Sequence, residues 1–308
     1  MSRCWALLLL AACAAATAQD DPLPAARRGD LGVRYWLSTG ETSRSHSAQS
    51  LNPSLGNPTS VLLYENLDAN VVELFARAQS NRDSVFLKAT LGVGRINTGL
   101  FHDEDFNAGQ VKFSDTTSSV TEGRIGYATI DLGRQWVLRE GAVTLGVFGG
   151  FTQWTEDVDA YGAIDHLGFI GGNIPPDVLV ISNKMRWRAL RIGFAGDFVL
   201  GSRTRLALDL AFSPYAEARN EDSHHLRADL GPVPNIVLKG EGWGLQWDAE
   251  LRYEIRQRTE LGIGVRYWHM ETTDGTRELP NLPGFPVLPV TELYSTRFGV
   301  TLSLRRTW

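Results

Sequence analysis

The sequence predicts an all-β protein, a transmembrane antiparallel β-barrel of about ten strands with long extracellular loops and short periplasmic turns. Three observations support this fold class. Segments that alternate between apolar and polar residues recur along the chain, clusters of turn-forming residues separate them, and the N-terminal residues have the composition of an export signal. We therefore expect the chain in the outer membrane of a Gram-negative bacterium, with its working residues on loops at the extracellular rim.

The N-terminal segment is predicted to be a signal peptide. Arg3 supplies a positive start, residues 5–12 form an apolar run, and residues 16–18 provide a small-residue cleavage site. This pattern divides the chain into a signal peptide at 1–18 and one barrel domain at 19–308.

Cysteine use is informative because both cysteines, Cys4 and Cys13, lie within this leader. A chain cleaved after Ala18 contains no thiol, and disulfides then have no part in its stability. An alternative stays open, since Cys13 also fits a lipoprotein processing site at which it would become the acylated first residue.

The final predicted strand shows the alternation most clearly. One face carries Phe298, Val300, Leu302, Leu304 and Trp308, and the other carries Arg297, Thr301, Ser303, Arg305 and Thr307. One face suits lipid and the other suits water, and inward charges are expected in a barrel lumen but would destabilise a sandwich core. A soluble all-β domain of similar size is the structural alternative.

Alternation and turn residues together delimit the strands. They are predicted at 29–44, 59–79, 83–98, 118–138, 141–158, 180–200, 203–219, 238–257, 259–274 and 291–308. Long connections are predicted at 45–58, 99–117, 159–179, 220–237 and 275–290, all on one rim because tight turns occupy the other. Aromatic residues are predicted to form belts at the two membrane interfaces: Tyr35, Trp36, Tyr127, Trp136, Trp154, Trp187, Trp243, Trp247, Tyr267 and Trp268.

Two clusters of acidic residues and histidine lie in the predicted long connections. Asp103 and Asp105 belong to one, and Asp222 and His224 belong to the other. Residues two apart on an extended segment point the same way, so the members of each pair share a face. An aspartate beside a histidine orients the ring and stabilises its charged form, as a general base for water requires.

Two alternatives apply to these clusters. Acidic residues and histidines are common in solvated loops, where they need no further role. Carboxylates and imidazoles at these spacings could also coordinate a divalent cation, although no dedicated metal site is predicted.

The segments around these residues resemble the omptin family, outer-membrane endoproteases built as ten-stranded barrels. Residues 103–106, Asp-Glu-Asp-Phe, resemble the family's Asp-x-Asp-aromatic segment, and residues 113–118 resemble the Thr-Asp-x-Ser stretch that follows it. Residues 215–227, which include Asp222-Ser223-His224, are similar to the segment with the family's Asp-x-His dyad. The resemblance covers most of the mature chain, loosely outside these motifs.

The resemblance implies an endopeptidase that forms no covalent intermediate. His224, held by Asp222, would take a proton from water, while Asp103 and Asp105 across a groove bind and position that water. Two carboxylates so close can share a proton, which would let them also act as an acid toward the leaving group.

The sequence departs from the family at positions that set substrate preference. Family members that cut next to basic residues line their pocket with acids, and two of those places correspond here to Arg44 and Asn220. Glu41 and Asp115 could still supply negative charge. The candidate substrate-binding residues are therefore Asp115, Glu41 and Asn220.

The resemblance also implies that basic residues on the outer face of the barrel bind lipopolysaccharide phosphates. Arg186, Arg188 and Arg191 are candidates by residue type. The expected partners are a polypeptide substrate and outer-membrane lipid, on which activity could depend. No other cofactor and no nucleic acid are expected, and we expect a monomer.

Other functions stay open at this point. The chain could be a non-catalytic barrel that serves as an adhesin, a structural protein or a narrow pore, although about ten strands enclose a lumen that side chains largely fill. It could also be a surface enzyme that modifies lipid.

Overall fold

The computed structural model describes residues 29–80 and 84–308. Within these residues, ten antiparallel strands form one closed barrel in which β1 pairs with β10. The strands are β1 (Gly29–His46), β2 (Ser60–Gln79), β3 (Val85–Asn107), β4 (Val111–Leu138), β5 (Val143–Asp165), β6 (Ile174–Val199), β7 (Thr204–His224), β8 (Ile236–Arg256), β9 (Thr259–Glu278) and β10 (Leu288–Thr307). This confirms the predicted fold class.

Short helices occupy a few connections of the described chain: Pro53–Leu55, Arg139–Gly141 and Ala228–Leu230 form single 3-10 turns. None of the helices in residues 29–80 and 84–308 has the length and apolar character needed to cross a bilayer. The predicted leader at 1–18 and most of the predicted tight link at 80–82 lie outside the described residues.

Longer connections join the strands at one end of the barrel, which we call the upper end. They comprise residues 47–59, 166–173, 225–235 and 279–287, with 8 to 13 residues each, and the three-residue turn at 108–110 lies at the same end. Two to five residues join the strands at the lower end. The predicted connection at 99–117 was too long, because β3 and β4 occupy most of it. The strands above the lipid have water on their outer side as well, so they lose apolar alternation while their hydrogen-bonded ladders continue.

An apolar band covers the lower and middle outer face. On β10 the outward side chains are Phe298, Val300, Leu302 and Leu304, all about half exposed. Nearer the upper end the outer face becomes polar. On β3, the outward-facing Val93 is followed toward the upper end by Arg95 and Asn97 on the same face. Strands of 18 to 28 residues exceed the roughly 9 to 11 that a bilayer requires. The upper part of the barrel therefore projects beyond the apolar band.

A layer of aromatic rings crosses the middle of the lumen. It consists of Trp36, Tyr127, Trp154, Trp187 and Trp268, each at most 3% exposed. The prediction that these five belong to interfacial belts was therefore wrong. Neighbouring residues of a strand point to opposite faces, so Tyr35 and Trp36 cannot both face lipid, and Tyr35 is the exposed one.

Ion pairs fill the lumen below the aromatic layer. The fully buried Glu73 accepts hydrogen bonds of 2.7 Å from Arg34, Arg266 and the Tyr127 hydroxyl. Nearer the lower end, Glu250 is paired with arginines of β8 and β10. We call these residues the lower network: Arg34, Glu73, Tyr127, Glu250, Arg252, Arg266 and Arg305.

Candidate active site

The first predicted acidic pair lies on β3, close to the upper end. Asp103 and Asp105 are two residues apart on one strand, and both side chains face the lumen. Their β4 partners, Thr116 and Ser114, are buried as well. The pair was expected on a loop, and its position on a hydrogen-bonded strand holds the two carboxylates more rigidly.

The second predicted pair lies at the end of β7. The Asp222 carboxylate is 1% exposed, and its Oδ2 is 2.7 Å from Nε2 of His224. Asn220 precedes them on the same inward face and is fully buried. Inward residues of one strand thus form a row that ends in the histidine, whose side chain is 15% exposed.

The barrel places the two pairs on nearly opposite walls, because β3 and β7 are separated by three strands on one side and five on the other. All four side chains line one cavity of about 210 Å³. We call it the upper cleft, and its lining also includes Arg44, Ser45, His46, Thr59, Ser60, Leu62, Arg227, Leu230, Ile236, Leu238 and Arg277. The cleft lies above the apolar band of the outer face.

The carboxyl groups on the two walls of the cleft differ in their pKa values. Burial, together with the neighbouring charge of Asp105, raises the pKa of Asp103 to about 7. Burial also raises the pKa of Asp105, although a hydrogen bond from Ser60 opposes this. Since neither carboxylate has an ion-pair partner among the described residues, the pair favours sharing one proton near neutral pH.

Asp222 has the opposite character. Burial alone would raise its pKa, but Arg44 and His224 outweigh that effect and hold the pKa well below its usual range. Nη2 of Arg44 is 2.5 Å from Asp222 Oδ2, and another guanidinium nitrogen donates a hydrogen bond to Asn220. Asp222 therefore stays ionised at neutral pH.

The backbone at His224 is held by Asn235, the residue before β8. The His224 N–H donates to Asn235 Oδ1 at 2.9 Å, and Asn235 Nδ2 donates to the His224 carbonyl at 3.0 Å. Asn235 is fully buried, so this amide clamp is shielded from water. With Nε2 directed to Asp222, the other ring nitrogen, Nδ1, is left to accept a proton.

The structure does not bring the predicted substrate-binding residues together. Asn220 lies beneath the cleft, bonded to Arg44 and Asn183. Asp115 is on the outer face of β4, where its carboxylate is 3.0 Å from the Lys112 amine. Glu41 accepts a hydrogen bond from the Tyr294 hydroxyl on the outside of the barrel. Neither Asp115 nor Glu41 lines the upper cleft.

The predicted lipid-binding residues on β6 also separate. Arg186 and Arg188 point outward, just above the apolar Leu190. Arg191 points into the lumen, where it is buried and contacts Asp131 and Asp209. The suggestion that Arg191 binds lipid was therefore wrong, because odd-numbered residues in this part of β6 face inward.

Sequence reasoning missed Arg277 in the lining of the cleft and Asn235 behind His224. Arg277 lies near the end of β9, and alternation along that strand could have identified its face once the strand was extended beyond residue 274. Asn235 had no sequence signal, since its role depends on a backbone contact across a loop. Among residues 29–80 and 84–308, no group of three His, Cys, Asp or Glu residues is arranged to hold a metal ion.

The barrel fold agrees with what comparison with known proteins finds. The model of the Omptin family matches residues 83–275, more than half of the 308 residues. The solved outer membrane protease OmpT from Escherichia coli superposes with a TM-score of 0.73 and 13% identity, over 91% of this chain and 97% of that chain. No curated protein sequence gives a match.

Two other solved structures are less similar. OprG from Pseudomonas aeruginosa has a TM-score of 0.35 and 11% identity, over 92% of this chain and 99% of that one. The toluene transporter TodX from P. putida has a TM-score of 0.32 and 7% identity, over 92% and 91%. The family match and the ten-stranded barrel together place the protein in an outer membrane, and the chain belongs to the omptin family.

Proposed function

We propose that this chain is an outer-membrane endopeptidase that hydrolyses peptide bonds in the upper cleft with Asp103, Asp105, Asp222 and His224. One observation carries the proposal. An Asp222–His224 pair at 2.7 Å and an unpaired pair of carboxylates face one cavity from nearly opposite walls. A water molecule between them would have a base on one side and a proton-sharing pair on the other.

The reaction begins when Nδ1 of His224 takes a proton from water and the water oxygen attacks the peptide carbonyl carbon. Asp222 keeps Nε2 protonated and stabilises the imidazolium that forms. The carboxylates of Asp103 and Asp105 accept hydrogen bonds from the same water and orient it toward the carbonyl.

The reaction ends when the tetrahedral intermediate collapses and the carbon–nitrogen bond breaks. The proton that Asp103 and Asp105 share passes to the leaving nitrogen, which departs as an amine. The proton on His224 then returns to the carboxylate pair, so the site regains its starting state. A carboxyl pKa of about 7 at Asp103 suits this donor role at neutral pH.

The setting of the cleft supports action at the cell surface. Long connections of outer-membrane barrels face outward and tight turns face the periplasm, which supports an extracellular position for the upper end. Aromatic rings and the lower network fill the lumen beneath the cleft, which favours surface chemistry over conduction. We further propose that the barrel acts as a monomer, with lipopolysaccharide as its lipid partner and no other cofactor.

The test compares peptide cleavage by the refolded barrel and its His224→Ala variant in the presence of lipopolysaccharide. Loss of a general base lowers the rate by about 10² to 10⁴. His225→Ala is the matched control, since His225 is the next residue and its ring contacts Ser182 on the exposed side. We expect His224→Ala to lose activity and His225→Ala to retain it.

Equal turnover by the wild type and His224→Ala would end the catalytic assignment. Steady conductance across a planar bilayer, with no cleavage of any peptide, would instead favour a non-catalytic pore. Turnover of labelled outer-membrane lipid would favour a lipid-modifying enzyme.

A further inference from the structure

The charges that face the upper cleft differ from those a pocket for basic side chains would need. Arg44, Arg227 and Arg277 line the cavity, against the acids Asp103, Asp105 and Asp222. The acids all belong to the proposed catalytic group. The other acidic candidates, described above, lie on the outer face of the barrel.

Two of these three arginines already have acidic partners. Arg44 pairs with Asp222, and it is 3% exposed. Arg227 makes two hydrogen bonds to Asp229, at 2.8 and 2.7 Å, on the exposed rim. Neither guanidinium is free to give its full charge to a ligand.

Arg277 has no such partner in the described chain. It faces inward from β9, and only β8 separates this strand from β7, which carries Asp222 and His224. Within residues 29–80 and 84–308, no hydrogen bond or ion pair joins its side chain to another residue. Burial lowers the pKa of Arg277 to about 10, because the charges of Arg44 and Arg227 offset the opposing effect of Asp222 and Asp105, so the guanidinium stays charged at neutral pH. A partly desolvated cation without a partner is unfavourable until an anion binds to it.

The surroundings of Arg277 disfavour a basic ligand. His46 lies nearby, and burial, with help from Arg277 and Arg44, lowers its pKa to about 3, so the ring is neutral. Leu230, Ile236 and Leu238 give the adjoining wall an apolar surface. A lysine or arginine side chain would meet three arginines there, with no acid outside the catalytic group to pair with.

We propose that Arg277 binds an acidic side chain, aspartate or glutamate, of the peptide substrate, so that this enzyme cuts next to acidic residues. This inference rests on the proposed endopeptidase function. The planar guanidinium matches a carboxylate with two parallel hydrogen bonds. A doubly charged phosphoryl group fits less well, because the Asp103–Asp105 pair on the facing wall carries negative charge.

The test uses one peptide cleaved by the wild-type barrel, with the residue on either side of the cut replaced in turn by Asp, Glu, Asn, Gln, Lys and Arg. We expect kcat/KM to be at least about tenfold higher for the acidic peptides than for the neutral ones at the responsive position, and lowest for the basic ones. Arg277→Gln should abolish the acidic preference, and Arg277→Lys should retain part of it. Arg219→Gln is the control, because Arg219 is a surface arginine paired with Glu221 on the outer face.

The peptide series separates binding of the side chain from a role in the reaction itself. If Arg277 stabilised the developing oxyanion, Arg277→Gln would slow all peptides by the same factor. The proposal requires the acidic peptides to lose rate while the neutral peptides do not. Equal losses, or a wild-type preference for basic or neutral peptides, would overturn it and leave the endopeptidase function standing.

A binding measurement covers the case in which no peptide is cut. Fluorescent peptides that differ only in one Asp or Lys would be titrated into the refolded His224→Ala barrel with and without Arg277→Gln. Tighter binding of the Asp peptide that depends on Arg277 supports the site even if the catalytic proposal fails. Equal binding of the two peptides contradicts it.

Discussion

The lower network and the upper cleft lie in the same barrel lumen but differ in whether their charged side chains have partners of opposite charge. In the lower network each buried carboxylate is paired with arginines, as Glu73 is with Arg34 and Arg266. In the upper cleft Asp103 and Asp105 lie side by side without a cation, and no hydrogen bond or ion pair joins Arg277 to an acid in the described chain. Paired charges close the lumen and stabilise the barrel, whereas unpaired charges lower its stability and are available to a substrate.

The largest effect is expected in the lower network. Glu73→Ala would remove the carboxylate that Arg34 and Arg266 share, although Arg34 keeps Glu250 at 3.6 Å and Arg266 keeps Asp248 at 2.5 Å. We therefore expect the free energy of unfolding to fall by about 3 kcal/mol, the lower end of the range for a broken buried ion pair. Urea unfolding of the refolded barrel measures it, with Glu217→Ala on the outer face as the control. Cleavage per folded molecule should not change. A Glu73→Ala barrel that unfolds at the wild-type urea concentration would contradict the structural role of this network.

The next effect concerns Asp103, where removal of a charge should raise stability and lower activity. In the unfolded chain this carboxyl ionises near its usual pKa, whereas burial keeps it protonated in the folded state up to a pKa of about 7. The folded state therefore loses stability as the pH rises between these two values. At pH 8, Asp103→Asn should be more stable than the wild type by more than about 1 kcal/mol, since one pKa unit corresponds to about 1.4 kcal/mol.

Unfolding at pH 4 and pH 8 measures this difference, which should nearly vanish at pH 4. Cleavage by Asp103→Asn should fall by about 10²-fold or more, because the shared proton is lost. Asp115→Asn, altered at a carboxylate paired with Lys112 outside the barrel, is the control. An Asn variant less stable at pH 8 than the wild type would show that Asp103 is a structural residue.

The smallest effect is expected on the outer face. Arg186 and Arg188 make no ion pair with described residues, so by the same reasoning they are available to anionic lipid. Each cation near an anionic surface contributes about 1 kcal/mol, so replacing both with Gln should raise the lipopolysaccharide concentration for half-maximal activity by roughly tenfold or more. Unchanged lipid dependence would place the lipid contact elsewhere.

The strand pattern made most of the barrel predictable from sequence, because lipid and lumen impose opposite polarity on alternate residues. The prediction of strand ends was less accurate where the outer face no longer contacts lipid. Above the apolar band both faces of a strand meet water, so residues 99–107 gave no sign that β3 continues. The prediction for the aromatic residues failed for a related reason. It used residue type alone, whereas the position of a residue in the alternation decides whether its side chain faces lipid or the lumen, as at Trp36.

The candidate site was only partly predictable. Motifs with two-residue spacing identified Asp103, Asp105, Asp222 and His224, because a strand turns that spacing into a shared face. The partner of Asp222 was not foreseen, since Arg44 is distant in the chain and reaches Asp222 only after β1 and β7 close into one ring. The sequence comparison interprets Arg44 as a residue that alters substrate preference, whereas its contacts make it the counter-ion of Asp222.

The amide clamp between Asn235 and His224 ties together both ends of the loop at residues 225–235. Insertions, deletions or exchanges within that loop can therefore alter the rim of the cleft, including Arg227 and Leu230, while the histidine stays in place. The loop can therefore change what the rim contacts while the backbone of His224 keeps its position. Grafting a foreign loop between these two residues is accordingly a direct way to alter which peptides the proposed site accepts.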